Sequence, residues 1–326
     1  MERHTDPVAA REGDPAAEAG EAAEGLARGM LSIFGRSGKS ANGKWPWAIF
    51  PTHRRPLWTL FLPLLLAVAV PAAASWEAAA RFGFDSNVNL SVDDPESDAY
   101  GGGGLSFFKD WSGESRFGLN LAASLDGAAY LDTSDLDLAQ ITLSPGGSYI
   151  PFASWTLRLS PFFQARAVKD SDQSALAFGV RLELSQRWGK RFYSGEYYIF
   201  KDTRAEAEVY SSIENGAGFY VGAHWGAKIF TDVGYEFVRG DSFTTLSPAS
   251  VVSVTGRGHG KHSQYSETFE GEVVREMVNE HSIMVSLGID WTRSLFSRVD
   301  YTFTLMDGGL GDAEIHEPTV SVGYRF

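Results

Sequence analysis

The sequence closes with Thr319-Val320-Ser321-Val322-Gly323-Tyr324-Arg325-Phe326, in which apolar residues alternate with small or polar ones. Val320, Val322, Tyr324 and Phe326 are spaced two residues apart. Because successive side chains of a β-strand point to opposite faces, this spacing predicts a strand with one apolar and one polar face. The end of the sequence is therefore a predicted two-sided β-strand.

The same period of two recurs along the chain from Ser75 onwards. It is clearest in 176–185, 282–291 and 298–305, where Leu, Ile, Val, Phe and Tyr alternate with Ser, Thr, Arg, Asp and Glu. No stretch after residue 75 keeps a helical period over three turns. The predicted fold class is therefore all-β.

Three short turns share a pattern in which one strand ends on Trp and the next opens with an aromatic residue. The pairs are Trp188 with Phe192, Trp225 with Phe230, and Trp291 with Phe296. The opposite ends of these hairpins carry longer polar connections, at 202–212 and 307–317. Aromatic residues concentrate at the lipid–water boundary of barrels with short periplasmic turns and longer external loops. We therefore predict a transmembrane antiparallel up-and-down β-barrel, with these six residues in the periplasmic aromatic rim.

The number of strands follows from parity, since a bacterial barrel with both ends in the periplasm needs an even number. The alternation supports thirteen strands, of which 263–275 is the weakest because Glu267 falls on its lipid face. A further strand at 246–255, around Val251, Val252 and Val254, would make the count fourteen. We predict fourteen strands, with twelve as the alternative.

An export signal is predicted before the barrel. Residues 53–74 combine His53-Arg54-Arg55, an apolar run and a final Ala72-Ala73-Ala74, the parts of a cleaved signal peptide. A transmembrane anchor is the alternative, but two prolines and modest length argue against it. Residues 1–52 have a disordered composition in their first half, and we interpret them as an extension or a mis-called start. The predicted barrel covers 75–326.

Composition excludes several classes of function. The net charge is -13, which argues against a nucleic-acid partner because phosphate binding needs a concentrated basic surface. There are no cysteines, so disulfides, thiolate metal sites and Cys nucleophiles are absent. The mean hydropathy of -0.15 argues against a helical membrane bundle. A barrel is compatible with this value because only every second residue of its strands faces lipid.

Charged residues at the polar positions of the strands are candidates for lining a lumen. A charge-lined pore and a ladder of ion pairs that braces the wall are both open interpretations, because the signs are mixed. The candidates are Arg158, Arg166, Arg181, Glu183, Arg187, Glu196, Asp232, Glu236, Asp290, Arg298 and Asp300, together with Glu77, Arg81, Arg116 and Arg325.

Metal and catalytic sites are weak candidates. Asp132, Asp135 and Asp137 have oxygen ligands suited to Ca²⁺ but lack the EF-hand spacing, and His259 and His262 lie in a Gly-rich turn. His224 is the single histidine centred on a clear inward position and has no predicted partner. The run Gly101–Gly104 lacks the residues of a phosphate-binding loop and indicates close packing or curvature in a strand. We predict no cofactor, no metal and no enzymatic activity.

Two resemblances add to these predictions. The residues Val320, Val322, Tyr324 and Phe326 resemble the C-terminal signal that outer-membrane barrels present to the barrel-assembly machinery. Arg81-Phe82-Gly83-Phe84-Asp85-Ser86-Asn87-Val88-Asn89-Leu90 resembles the first strand and loop of the barrel domain of surface lipoprotein assembly modifiers. That family has a fourteen-stranded barrel and an N-terminal tetratricopeptide domain, which this sequence lacks.

The predicted location is the bacterial outer membrane, and the predicted function is a channel or transport conduit with a polar lumen. The resemblance implies an alternative, a protein-handling or interaction barrel of the assembly-modifier type. The expected partners are outer-membrane lipid and the barrel-assembly machinery, followed by either an exported protein or small solutes.

Overall fold

The computed structural model describes residues 74–111, 115–247 and 263–326. The predicted extension at 1–52 lies outside the described residues, and so does the predicted signal peptide apart from Ala74. Most of the strand predicted at 246–255 lies outside them as well. Within the described residues, no helix has the length and apolar character needed to cross a membrane.

Strands make up almost all of the described chain, with three short 3-10 helices in the connections. The 3-10 helices are η1 (Ser134–Leu136), η2 (Ser171–Gln173) and η3 (Glu208–Tyr210). The strands are β1 (Ala74–Asp85), β2 (Asp98–Asp110), β3 (Phe117–Tyr130), β4 (Leu138–Phe152), β5 (Trp155–Val168), β6 (Ala175–Trp188), β7 (Phe192–Ala205), β8 (Ser212–Trp225), β9 (Ile229–Leu246), β10 (Ser263–Ser266), β11 (Gly271–Asp290), β12 (Leu295–Gly308) and β13 (Asp312–Arg325).

Twelve of these strands form one closed antiparallel barrel. Each strand pairs with its neighbour in sequence from β1 to β9, β9 pairs with β11, and β13 pairs with β1. The short β10 lies outside the closed ladder and pairs only with Gly271–Val274 at the start of β11. The chain is therefore an up-and-down barrel of twelve strands with one strand outside it.

The predicted count of fourteen is not confirmed, and the barrel has the alternative count of twelve. Residues 271–290 form one strand, whereas the sequence pattern suggested separate strands at 263–275 and 281–292. Strand β9 runs on to Leu246 and pairs with β11 along its whole length, from Ile289 to Glu272. A strand between β9 and β11 is excluded because their backbone hydrogen bonds join them directly.

The two faces of the wall differ as the alternation predicts. Large apolar side chains are exposed on the outward face, and the residues between them are more buried. Val320, Val322 and Tyr324 in β13, and Phe326 directly after it, are about half exposed or more. A closed wall with an apolar outer surface satisfies every backbone group internally, which a protein in a lipid bilayer requires.

The two ends of the barrel differ in the length of their connections. At one end the connections are 111–116, 153–154, 189–191, 226–228 and 291–294. At the other they are 86–97, 131–137, 169–174, 206–211, 247–270 and 309–311. We call these the short-turn end and the long-loop end. In outer-membrane barrels the short turns face the periplasm.

Candidate functional site: the lumen and its mouth

The three Trp turns share a detailed structure at the short-turn end. Each Trp points outward, and its indole Nε1 donates to a hydroxyl six residues later in the next strand. The distances are 2.9 Å from Trp188 to Ser194, 2.8 Å from Trp225 to Thr231, and 2.9 Å from Trp291 to Ser297. The exposed Trp rings form a belt at this rim, and Phe192 lies in it.

Two of the aromatic residues predicted for this belt face the other way. Phe230 and Phe296 lie on the lumen face, where their rings cover Gly288 and Gly323 of the neighbouring strands. The prediction assigned them to the rim because they follow a Trp closely in the sequence. The fifth residue after each Trp points inward, however, so this assignment is wrong for both. The outward positions beside the Trp rings are taken by Ile229 and Leu295.

Aromatic rings covering glycines recur throughout the lumen. In each case the ring lies over a glycine directly opposite in the neighbouring strand, where a Cβ would overlap with the ring. The pairs are Tyr100 over Gly83, Phe162 over Gly179, Tyr193 over Gly222, Tyr197 over Gly218, Tyr220 over Gly195, Phe230 over Gly288 and Phe296 over Gly323. Because the glycines leave space against the wall, the rings lie along it instead of projecting towards the barrel axis.

The wall formed by β6, β7 and β8 is packed with large polar side chains, and we call it the filled wall. The Arg181 guanidinium lies 3.2 Å from the Glu183 carboxylate and 3.7 Å from the centre of the Tyr197 ring. Tyr220 donates to Glu183 at 2.9 Å, and Tyr197 donates to Glu236 of β9 at 2.6 Å. Arg181 and Glu183 are buried, with exposed fractions of 4% and 3%.

The wall formed by β1 to β4 carries many small, partly exposed side chains towards the lumen, beside larger ones such as Arg81, Tyr100, Phe108 and Asp126, and we call it the small wall. Its inward residues include Ala79, Gly83, Gly102, Gly104, Ser106, Ala122, Ala128, Ser144 and Gly146. Most of them are partly exposed, in contrast to the inward residues of the filled wall. This part of the lumen wall therefore has small, partly exposed side chains between its larger inward residues.

An ion pair crosses the small wall and accounts for the two inward glycines of the run, Gly102 and Gly104. Arg81 of β1 reaches Asp126 of β3 at 2.9 Å and passes over β2 between them. Arg81 is opposite Gly102 and Asp126 is opposite Gly104, and a Cβ on Gly104 would collide with the Asp126 carboxylate. The sequence interpretation of close packing in a strand therefore has a specific cause, and this ion pair is about one-third exposed.

A second group of ion pairs lies near the short-turn end. Arg325 contacts Asp290 at 2.6 Å and Glu77 at 3.3 Å, and its guanidinium lies 4.4 Å from the centre of the Phe296 ring. Arg298 and Asp300 form a second ion pair, which Ser286 joins through hydrogen bonds. Sequence reasoning identified these charged residues but not their partners.

The register places almost all of the predicted lumen residues on the inner face. Those on it are Arg158, Arg166, Arg181, Glu183, Arg187, Asp232, Glu236, Asp290, Arg298 and Asp300, with Glu77, Arg81 and Arg325. The prediction is wrong for Glu196, which is exposed on the outward face, where it pairs with Leu184 and Phe219. Arg116 lies in the turn before β3, outside the strands.

Sequence reasoning missed the lumenal tyrosines. Tyr193 donates to Asp232, and Tyr100 donates to Glu317 at 2.9 Å. Together with Tyr197 and Tyr220, they hold carboxylates that the sequence alone left without partners. These tyrosines could have been recognised in the sequence as Tyr residues at inward strand positions that lie opposite a glycine in the neighbouring strand.

The connection at 86–97, which we call the mouth loop, lies over the lumen at the long-loop end. Its Leu90 and Val92 pack against the lumen-facing Val278, Met306 and Ala313. Thr245 of β9 donates its backbone N–H to the Leu90 carbonyl at 3.3 Å and its hydroxyl to the Asn89 carbonyl at 2.6 Å. Because β8 pairs with β9 only as far as Gly240, this edge of β9 is free to accept the mouth loop.

Side-chain hydrogen bonds shape the mouth loop internally. The Asn87 amide donates to the Ser91 carbonyl at 2.8 Å and its Oδ1 accepts from the Ser91 backbone N–H at 2.9 Å. The Asn89 Oδ1 accepts from the Glu96 backbone N–H at 3.1 Å, and Leu90 between them has a φ of 51°. The Asp-Ser-Asn-Val-Asn segment that suggested a family resemblance is therefore the part of the chain that folds over the lumen.

Other connections pack above the mouth loop. Val88 joins a buried cluster with Leu136, Val209, Tyr210, Phe269 and Val273, which come from four different connections or strand ends. Burial raises the pKa of the nearby Glu96 carboxyl, and the charges of Asp94 and Glu270 add to this rise. The mouth therefore holds three carboxylates whose like charges repel one another.

The candidate metal and catalytic residues have ordinary roles where the structure describes them. Asp135 pairs with Lys169 at 3.1 Å, Asp137 accepts from the Tyr130 backbone, and the Asp132 backbone donates to Asp98. No group of three His, Cys, Asp or Glu residues within the described ranges is arranged to hold a metal. His259 and His262 lie outside those ranges, and His224 lies beside the Tyr193 ring.

Comparisons with known proteins identify the fold. No protein-family model matches the chain, and no curated protein matches its sequence. An outer-membrane channel from Pseudomonas putida F1 has a similar structure, with a TM-score of 0.54 and 10% identity over 79% of this chain and 97% of that one. The NanC porin has a TM-score of 0.44 and 10% identity, over 76% of this chain and 98% of that one. The Pseudomonas putida toluene transporter TodX has a TM-score of 0.39 and 9% identity, over 78% of this chain and 90% of that one.

At these identities, the likeness to the first structure shows the fold alone. The closed twelve-stranded wall, its apolar outer face and this likeness define the class of the protein, which is an outer-membrane β-barrel. Its location is the bacterial outer membrane, as the sequence predicts. Nothing in the comparisons shows the relationship to surface lipoprotein assembly modifiers.

Proposed function

We propose that this barrel is a passive channel for small hydrophilic solutes. The observation that carries the proposal is the small wall, where Ala, Gly and Ser side chains from β1 to β4 face the lumen. A barrel of eight strands is filled by its own side chains, whereas one of sixteen strands leaves an aqueous channel. Twelve strands lie between these cases, and the partly exposed small residues of the small wall favour a hollow interior.

The rest of the lumen supports the same proposal. The aromatic rings lie against the wall over glycines, so they take little of the cross-section. The ion pairs Arg81–Asp126 and Asp290–Arg325 keep partly exposed charges in the interior, which water solvates readily. A passage beside the small wall would thus be polar along its length and suited to ions and small polar molecules.

In this proposal the passage is narrowest beside the mouth loop. The loop lies over the lumen and is tied to β9 by the two hydrogen bonds of Thr245. We therefore expect a smaller conductance than a bare twelve-stranded cylinder would give. Solutes would pass beside the mouth loop and then along the small wall.

Single-channel recording tests the proposal. The protein purified from outer membranes is added to planar lipid bilayers, with heat-denatured protein as the control, and discrete conductance steps are expected. A second variant, in which a short Gly-Ser linker replaces 88–95, removes Leu90 and Val92 from the mouth and should raise the conductance. The proposal is wrong if both folded proteins are silent.

A further inference from the structure

The charges of the two ends of the barrel are opposite in sign. At the long-loop end, the described parts of the connections 86–97, 131–137, 169–174, 206–211 and 267–270 each carry two or three Asp or Glu residues, and Lys169 is their one cation. At the short-turn end, the described parts of four turns carry Arg116, Lys190, Arg191, Lys228 and Arg293 and no Asp or Glu, and 153–154 is uncharged. Glu114, outside the described ranges, adds one acid to this end by sequence. The part of 247–270 outside the described ranges adds Arg257 and Lys261 by sequence, so the long-loop end remains strongly acidic.

The mouth loop brings part of this negative charge to the entrance of the lumen. Asp94 and Glu96 belong to the loop, and Glu270 comes from the connection that precedes β11. The Asn89 side chain donates to the Asp94 carbonyl at 3.1 Å and accepts from the Glu96 backbone N–H at 3.1 Å, so Asp94 and Glu96 are held around one side chain. The charges of Asp94 and Glu270 both act on Glu96. A negative entrance walled by low-dielectric protein concentrates cations and repels anions.

Ion pairs inside the lumen show the same bias by a separate observation. The Asp290 side chain is 33% exposed, whereas its partner Arg325 is 13% exposed and stacks on Phe296. Asp300 is 21% exposed against 12% for Arg298. In both pairs the carboxylate is the more exposed partner.

Cations of the opposite wall do not offset this bias to the same degree. Arg181 is 4% exposed and lies between Glu183 and the Tyr197 ring, and Lys201 is 7% exposed. The Arg81–Asp126 pair is exposed about equally on both partners, so it contributes no preference. Arg158, Arg166 and Arg187 are also partly exposed on the inner face. Partly exposed carboxylates outnumber them there, at Glu77, Asp232, Glu236, Glu276, Glu280 and Glu317. Among the described residues, a permeating ion would therefore meet carboxylates more often than arginines.

We propose that the acidic mouth and the exposed lumenal carboxylates make this barrel a channel that prefers small cations to anions. This inference rests on the proposed channel function and adds the class of solute to it. The acidic mouth raises the local concentration of cations, and Asp290 and Asp300 then favour them near the short-turn end. The test is the reversal potential in planar bilayers under a KCl gradient.

The wild-type protein should show a K⁺ preference at about 0.1 M salt, where the Debye length is about 10 Å. One uncompensated carboxylate about 6 Å from an ion in water changes the permeability ratio roughly threefold. The variant Asp94→Asn/Glu96→Gln/Glu270→Gln removes three mutually repelling charges, so it should fold and should lower the K⁺ to Cl⁻ ratio at least threefold. Glu196→Gln, on the lipid-facing surface, is the matched control and should change nothing.

The possible outcomes separate the two proposals. Conductance with equal permeability or with an anion preference overturns the cation inference and leaves the channel intact. An unchanged ratio in the triple variant, or a preference that does not weaken at about 1 M salt, overturns the role of the mouth. A folded protein that conducts no ions overturns both proposals.

Discussion

The filled wall and the small wall are parts of one antiparallel ladder, but they use their inward positions differently. In β6 to β8, Arg181, Glu183, Tyr197 and Tyr220 occupy the inward positions and bond to one another. In β1 to β4 the inward positions include Ala, Gly and Ser residues that stay partly exposed, beside larger residues such as Arg81 and Phe108. The backbone alternation therefore sets which positions face inward, and the size and packing of the side chains set how much of the interior they fill.

The two walls also bear differently on the two interpretations of the lumenal charges, a bracing ladder of ion pairs and a charge-lined pore. The filled wall is a ladder of ion pairs and hydrogen bonds that braces the barrel, since Arg181 and Glu183 are almost completely buried. The small wall is the part of the lumen on which the proposed passage depends. The charge-lined pore therefore stays a proposal, which conductance measurements test.

The largest effect should come from removing one arginine from each wall. Arg181→Gln leaves Glu183 buried without its cation, so we expect unfolding in lipid vesicles to become easier by about 3–5 kcal/mol. Arg81→Gln removes a similar cation from a pair that is about one-third exposed, and the loss should be about 0–1 kcal/mol. Denaturant unfolding followed by Trp fluorescence measures both. Equal losses would show that the two walls do not differ in how they stabilise the barrel.

The fold could be predicted because it depends on features that are local in the sequence. Alternation in 176–185 and 298–305 depends only on the period of a strand, and the Trp turns depend on a few adjacent residues. The strand count failed at 240–278, where β9 and β11 extend past the rim as one long hairpin. In this region the sequence pattern of a loop resembles that of an additional strand. Only the strands that pair with each other in the structure distinguish the two.

The site was less predictable because it depends on register. Glu196 was assigned to the lumen as a charged residue in a strand, but its neighbours across β6 and β8 are the outward Leu184 and Phe219. The glycines under the rings were missed for the same reason, since Tyr197 and Gly218 are distant in sequence and adjacent in the ladder. Shifting the register by one residue exchanges the faces, and the sequence pattern fixes that choice only where it is strongly apolar.

A smaller effect on stability is expected from adding a side chain under a ring. Gly218→Val puts a branched side chain where the Tyr197 ring lies, so the ring must move and the Tyr197–Glu236 hydrogen bond weakens. We expect a loss of about 1–3 kcal/mol in the free energy of unfolding. Gly101→Val is the control, because a Cβ at Gly101 has nothing within 4 Å, and it should change stability by less than about 0.5 kcal/mol. Similar losses in both would mean that the rings do not depend on the glycines.

The smallest effect on stability, and a clear effect on conduction, is expected from a bulky residue on the small wall. Ala122→Trp places an indole, with about 200 Å² of surface, in the proposed passage, so single-channel conductance should fall roughly twofold. Ala123→Trp is the matched control, because Ala123 is opposite the outward Phe107 and Leu143 and its indole would face lipid. Thermal unfolding should be nearly unchanged in both variants, so the conductance difference reports the passage itself. If both Trp variants conduct like the wild type, the ions do not pass along the small wall. The difference between the two walls would then have no part in transport.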